Sequence, residues 1–176
     1  MAKKKKRVVS TFQPKRNVSI GSKSELQDII YIDFNKYPKW TSSVQIGSFT
    51  NHFKNSEQAL KHFFFIVDQL IPSIEDYGAD IFSGKAKHCH RLTGQQQELA
   101  LKIIKEIHGT KILDKEKELW QIGGKTKEIR IIGTFINNSV RIFYPLFIDH
   151  HHLLYPSQKY NQSDYKKFNF STEDIK

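Results

Sequence analysis

The stretch EIRIIGTFINNSVRIFYPLFI, residues 128–148, decides the fold class. Two runs rich in β-branched and aromatic residues, 128–136 and 140–148, flank Asn137, Asn138 and Ser139. This order predicts an antiparallel hairpin, because Asn and Ser accept tight-turn backbone while Ile, Val, Phe and Tyr suit a pleated surface. Alternation places Val140, Ile142, Tyr144, Leu146 and Ile148 on one face and Arg141, Phe143, Pro145 and Phe147 on the other. Pro145 has no N–H to give to a ladder and marks an edge or a bulge.

Working back from the hairpin, Leu119, Trp120 and Ile122 read as a third strand and Gly123-Gly124 as a tight turn. Thr93 and Gln96 form a capping-box pattern ahead of a helix with Leu99, Ile103, Ile104 and Ile107 on its core side and Gly109 as terminator. Asn51 is placed to cap an earlier helix whose apolar stripe is Phe53, Leu60, Phe63, Phe64, Val67 and Leu70. Phe63, Phe64 and Phe65 are read there as core and rim rather than as a binding platform. Pro72 ends that helix or begins a new turn, and residues 73–91 read as an inserted loop or short helix. Ile29, Ile30, Tyr31, Ile32 and Phe34 form a strand candidate, which Val44, Ile46 and Phe49 follow with a second. Leu153, Leu154 and Tyr155 supply another short strand. The expected fold is α+β, with helices packed on one face of an antiparallel sheet.

The 176 residues suffice for one domain, with 38% hydrophobic residues and 13 Phe to build a core. The expected organisation is a disordered basic arm at 1–24, a single α+β domain at 25–156 and a partly ordered tail at 157–176. No apolar run approaches the ~20 residues of a membrane span, and no apolar segment follows the basic N-terminus as a secretory leader requires. The single cysteine, Cys89, cannot form an internal disulfide and fits a reducing compartment. These features predict a cytoplasmic protein without a membrane partner. Its net charge is +10, and eight basic residues precede the first acid, Glu25. Among them Lys3, Lys4, Lys5, Lys6 and Arg7 form a run suited to a phosphate backbone. The body beyond the arm is nearly neutral.

Histidines supply the candidate chemistry. His88 and His90 flank Cys89, while His150, His151 and His152 follow Asp149. Residues two apart on a strand point the same way, but neither cluster has the spacing of a complete metal motif, so no metal is expected. Gly123-Gly124-Lys125-Thr126 lacks the first glycine of a phosphate loop, because Leu119 stands at that position. No cofactor fingerprint is present. Metal-independent RNA cleavage needs a base for the 2′-hydroxyl, an acid for the leaving 5′-oxygen and cations around the phosphorane. His150 and His152 are the proton-transfer candidates; Arg130, Arg141 and Lys159 supply charge, and Tyr160 supplies a ring for base stacking.

The element order and the segment 119–160 resemble the RelE/ParE/HigB superfamily of small bacterial toxins. Leu119-Trp120 resembles the strand leading into that family's sheet, and Arg130-Ile131-Ile132 and Arg141-Ile142-Phe143-Tyr144 resemble its basic hairpin strands. His152 and Lys159 fall where the ribonuclease branch places late basic residues. The resemblance covers residues 44–160. It implies two helices on an antiparallel sheet, messenger RNA as substrate and a protein inhibitor as partner. Greater length, the 73–91 insertion and Asp149 beside the histidines depart from the family pattern. The expectation is an RNA-binding protein acting as a toxin-like endoribonuclease. Its alternative is a non-catalytic nucleic-acid or protein-binding module of a mobile genetic element.

Overall fold

The two runs of residues 128–148 become the centre of a mixed five-stranded sheet. In the computed structural model, which describes residues 29–110, 118–124, 128–137, 141–156 and 164–175, the architecture is α+β. The strands are β1 (Ile30–Ile32), β4 (His90–Arg91), β5 (Leu119–Gly123), β6 (Arg130–Asn137) and β7 (Arg141–Asp149), in the spatial order β1-β7-β6-β5-β4. All neighbours are antiparallel except β1, which runs parallel to β7. The segment expected as one second strand folds back on itself as a separate hairpin of β2 (Gln45–Ile46) and β3 (Phe49–Thr50). Gly47, at φ +60°, makes that reversal without steric cost.

The helical layer begins with α1 (Ser56–Phe65) and runs through one π turn (Ile66–Leu70) into α2 (Ile71–Tyr77). A short α3 (Asp80–Ser83) follows, and α4 (Gly94–His108) precedes β5. Asn55, rather than Asn51, caps α1 by accepting the Gln58 N–H at 3.0 Å. Asn51 is buried and serves β2's approach instead, accepting from Val44 N–H and donating to the Ser42 carbonyl. Thr93 does begin α4, but the expected capping-box side-chain bond is absent. Pro72 occupies the first turn of α2, where its missing N–H costs nothing to the ladder.

Helices cover both faces of the sheet, not one. Ala100, Ile103, Ile104 and Ile107 of α4 pack with Leu119, Ile132, Tyr144 and Phe147 on one face. Phe65, Ile66, Leu70, Ile74 and Ile81 pack with Trp120, Ile122, Ile131, Phe143 and Ile148 on the other. Each such side chain contributes roughly 1.5–3 kcal/mol by leaving water, so two apolar faces require two covering layers. Ile148 departs from the alternation expected for β7 because Ile132 pairs with Phe147 while Gly133 pairs with Pro145. This bulge inserts Leu146 and resets the faces beyond it. Its freed carbonyl accepts a 2.7 Å hydrogen bond from His108 Nε2 at the end of α4.

Three further expectations change. Leu60, Phe63, Phe64 and Val67 are exposed, while Phe53, Phe65 and Leu70 are buried. Ala59, Ile66, Leu70 and Ile74 supply the inward row, so α1 is apolar on two sides and periodicity alone selected the outer one. Leu153, Leu154 and Tyr155 form a turn rather than a strand. Part of the expected tail returns to the body through a Phe53–Phe170 bridge and the stacking of buried Phe168 on His151.

Candidate functional site

The register of β6 against β7 separates the four residues read as catalytic. Arg130 pairs with Asp149 at one end, and Asn137 with Arg141 at the other. At ~3.3 Å per residue these ends lie roughly 26 Å apart. Arg141 is therefore remote from the other three, with its guanidinium 5.0 Å from the centre of the Phe82 ring. His150 follows Asp149, the ladder partner of Arg130, and is buried against Phe53, His62 and His151 at the wall of an apolar hollow. Its ring lies 4.3 Å from that of Phe53, and its Nδ1 is 3.3 Å from Nδ1 of His62. Burial, reinforced by His62 and His151, pushes His150 well below the usual histidine pKa. His150 thus packs among Phe53, His62 and His151 rather than beside Arg141.

Arg130 and His152 lie at the same end of the sheet, close enough for His152 to feel the charge of Arg130. Arg130 is buried because its ladder partner, Gly123, carries no side chain. A Cβ at Gly123 would lie 2.7 Å from Arg130 Cδ and Nε. The guanidinium donates from Nη1 to the Ile129 carbonyl at 2.9 Å. Burial lowers its pKa, opposed first by the charge of Asp149 and then by Cys89, Glu128 and Tyr77. Two histidines sense its charge, His88 and His152. Both are held below the ordinary histidine pKa, half-buried His152 chiefly by burial and exposed His88 by partial desolvation and then the charge of Arg130. They are also the non-glycine residues with left-handed backbone among the described residues, at φ +64° and +57°. Such backbone costs on the order of 1 kcal/mol or more and persists only where surrounding contacts impose it.

The clamp on His152 is Asp149. This fully buried carboxylate accepts N–H bonds from His151 and Leu153 on Oδ1 and from Leu154 on Oδ2, at 3.2, 2.9 and 2.8 Å. Asp149 thus shapes the turn that carries His152, a role its type and position in sequence did not disclose. His151 faces away, giving its Nε2 hydrogen to the His52 carbonyl at 2.7 Å and stacking on Phe168. His152 stacks on Tyr155, whose ring also meets His90 edge-on at 5.4 Å.

On the His88 side of Arg130 a cavity of about 930 Å³ opens between α2, α3 and the sheet. Phe65, Asp76, Tyr77, Lys85, Lys87 and His88 are among its walls. The Tyr77 hydroxyl is buried beside Ser73, whose Oγ donates to the Gln69 carbonyl and can accept from the phenol, and burial pushes the Tyr77 pKa up. Sequence reading grouped His88 with His90 as paired metal candidates. The structure parts them: His88 lines the cavity, while His90 contacts Gln121 Nε2 at 3.1 Å on the sheet edge. Among the described residues no group of three His, Cys, Asp or Glu side chains is placed to hold a metal ion. Buried Cys89 directs its Sγ to the Gly123 carbonyl, and burial pushes its thiol pKa up, which makes it a packing group. Lys3, Lys4, Lys5, Lys6, Arg7, Lys159 and Tyr160 lie outside the described residues.

Fold and site together define an α+β chain with a polar cleft at one end of a mixed sheet. The chain belongs to the family described as uncharacterised protein UU032, whose family model matches residues 36–176. It is 31% identical over 168 residues to "Uncharacterized protein UU032" of Ureaplasma parvum serovar 3 (strain ATCC 700970), covering 94% of this chain and 92% of that protein. No solved structure matches. Among the described residues no helix is long and apolar enough to cross a membrane.

Proposed function

We propose that this chain is a cytoplasmic RNA-binding protein that receives a single-stranded segment in the cleft beside Arg130. The observation that supports it is the cavity of about 930 Å³ whose walls carry Lys85, Lys87 and His88 together with Phe65 and Tyr77. A phosphodiester at the cleft mouth would meet Lys87 and His88 and draw Lys85 from its 4.0 Å pair with Asp80, with Asp68 and Asp76 also on the walls, while Phe65 and Tyr77 offer aromatic surface to a base. The basic run Lys3, Lys4, Lys5, Lys6 and Arg7 adds attraction that is independent of sequence. Fluorescence anisotropy with a labelled single-stranded RNA tests the reading. The Lys85→Ala, Lys87→Ala double variant should bind roughly tenfold more weakly, with a salt dependence reduced by about 0.7 per lost phosphate contact. Equal affinity of parent and variant, or equal preference for duplex DNA, rejects it.

Metal-independent cleavage is a second reading, supported by His88 and His152 both feeling the charge of Arg130. One imidazole takes the 2′-hydroxyl proton as the 2′-oxygen attacks phosphorus. The other, protonated, gives its proton to the departing 5′-oxygen, leaving a 2′,3′-cyclic phosphate. Because both pKa values are depressed, the protonated partner becomes populated only below the ordinary histidine range, and turnover should rise as pH falls through and below that range. His88→Asn and His152→Asn keep a residue type tolerant of left-handed backbone while removing proton transfer. Each should retain RNA binding and lose most turnover in chelator. A parent protein that binds but does not cleave leaves the chain a binding module.

A further inference from the structure

The outer face of α1 has no role in the cleft. Leu60, Phe63, Phe64 and Val67 stand there at 56, 57, 51 and 43% exposure. Four large apolar side chains on one helical stripe are more than scattered surface residues, and such patches mark contacts with another molecule. Beside the stripe lies an apolar hollow of about 590 Å³, walled by Phe53, Ala59, Leu60, Phe63, Ile66 and Ile148. One face therefore carries both a protrusion and a recess, as a two-fold interface between identical surfaces requires.

Charge narrows the occupant. Lys61 and Asp68, seven residues apart, are exposed on the same flank of the stripe. Antiparallel pairing of two such helices about Phe64 brings Lys61 of one copy opposite Asp68 of the partner subunit, and the reverse contact follows by symmetry. Lys61 now bonds Glu57 at 2.6 Å, a solvent-exposed pair whose exchange costs little. With Glu57 and Asp68 flanking it beside Lys61, the stripe has a rim of mixed charge rather than a basic one, which disfavours nucleic acid or an anionic lipid surface. We infer that a second copy of this chain docks on the α1 face, with Leu60, Phe63, Phe64 and Val67 of both copies forming the apolar centre.

Sedimentation velocity on the full chain over roughly 1–100 µM should show a dimer in reversible equilibrium with monomer. Phe63→Ser with Phe64→Ser, both exposed and so compatible with folding, should weaken it at least about thirtyfold. Lys61→Glu alone should weaken it about fivefold, and adding Asp68→Lys should restore the parent value. Amine cross-linking separates the remaining occupant, the chain's own leader. Links from Lys3, Lys4, Lys5 or Lys6 to Lys61 within a monomeric species would overturn the proposal. So would a monomeric parent throughout that concentration range, or a dimer that neither the serines nor the charge exchange affects.

Discussion

At the residue scale, two glycines carry constraints that no side-chain contact reveals. Gly123 vacates the space through which Arg130 reaches across the ladder. Gly133 sits at the β7 bulge, where an added Cβ would lie 2.5 Å from both the Phe143 ring and the Tyr144 carbonyl. The second obstacle is backbone and cannot swing aside. Gly133→Ala should therefore destabilise the fold by about 1–3 kcal/mol or more, seen as a lower urea midpoint with an unchanged slope. An unaltered midpoint would mean that the bulge relaxes freely. His88 and His152 are the complementary case, residues whose strained backbone is fixed by their neighbours.

At the element scale, the turn after β7 depends on one carboxylate. Asp149 satisfies three backbone N–H groups, all in a buried setting. Asp149→Ala leaves those donors unpaired and should cost roughly 3–5 kcal/mol, whereas Asp149→Asn retains an acceptor and should cost less. Denaturation of both variants measures the order; equal losses would show that charge rather than hydrogen bonding holds the turn. The α1, π turn and α2 series shows what an element can hide. The Ile71 N–H bonds the Ile66 carbonyl five residues back, so side chains beyond Phe65 rotate relative to an ideal helix. Phe65, Ile66, Leu70 and Ile74 turn inward, and the outer stripe is left to solvent.

At the scale of the whole molecule, histidine burial sets a pH dependence of stability. His108, His150 and His152 have pKa values lowered from 6.5, mainly by burial, most strongly for His150. The unfolded chain therefore binds protons near pH 6.5 that the folded chain refuses. Stability is full above that pH and falls as the pH drops below it, until the folded values are reached. Urea midpoints should decline from about pH 7.5 to about pH 5.5, and His150→Leu should flatten that decline without abolishing it. A parent midpoint that rises on acidification would contradict the burial of these rings.

The sequence by itself determined the α+β class, the pairing of 128–136 with 140–148, and the inward row of α4. Those features rest on local patterns: turn residues between β-formers, and Ile103, Ile104 and Ile107 on a single helical face. It also nominated Arg130 and His152, which the fold keeps at the same end of the sheet. Tertiary structure alone decided the rest. The β6/β7 register sends Arg141 to the far end, and the β7 bulge exchanges the face of Ile148. Packing sets His150 among Phe53, His62 and His151 rather than beside Arg141. Where a helix is apolar on two sides, as α1 is, its own periodicity holds no information about which side meets the sheet. Only the competition for a fixed area of sheet surface settles that choice, because burial energy follows the area covered rather than the residue that covers it.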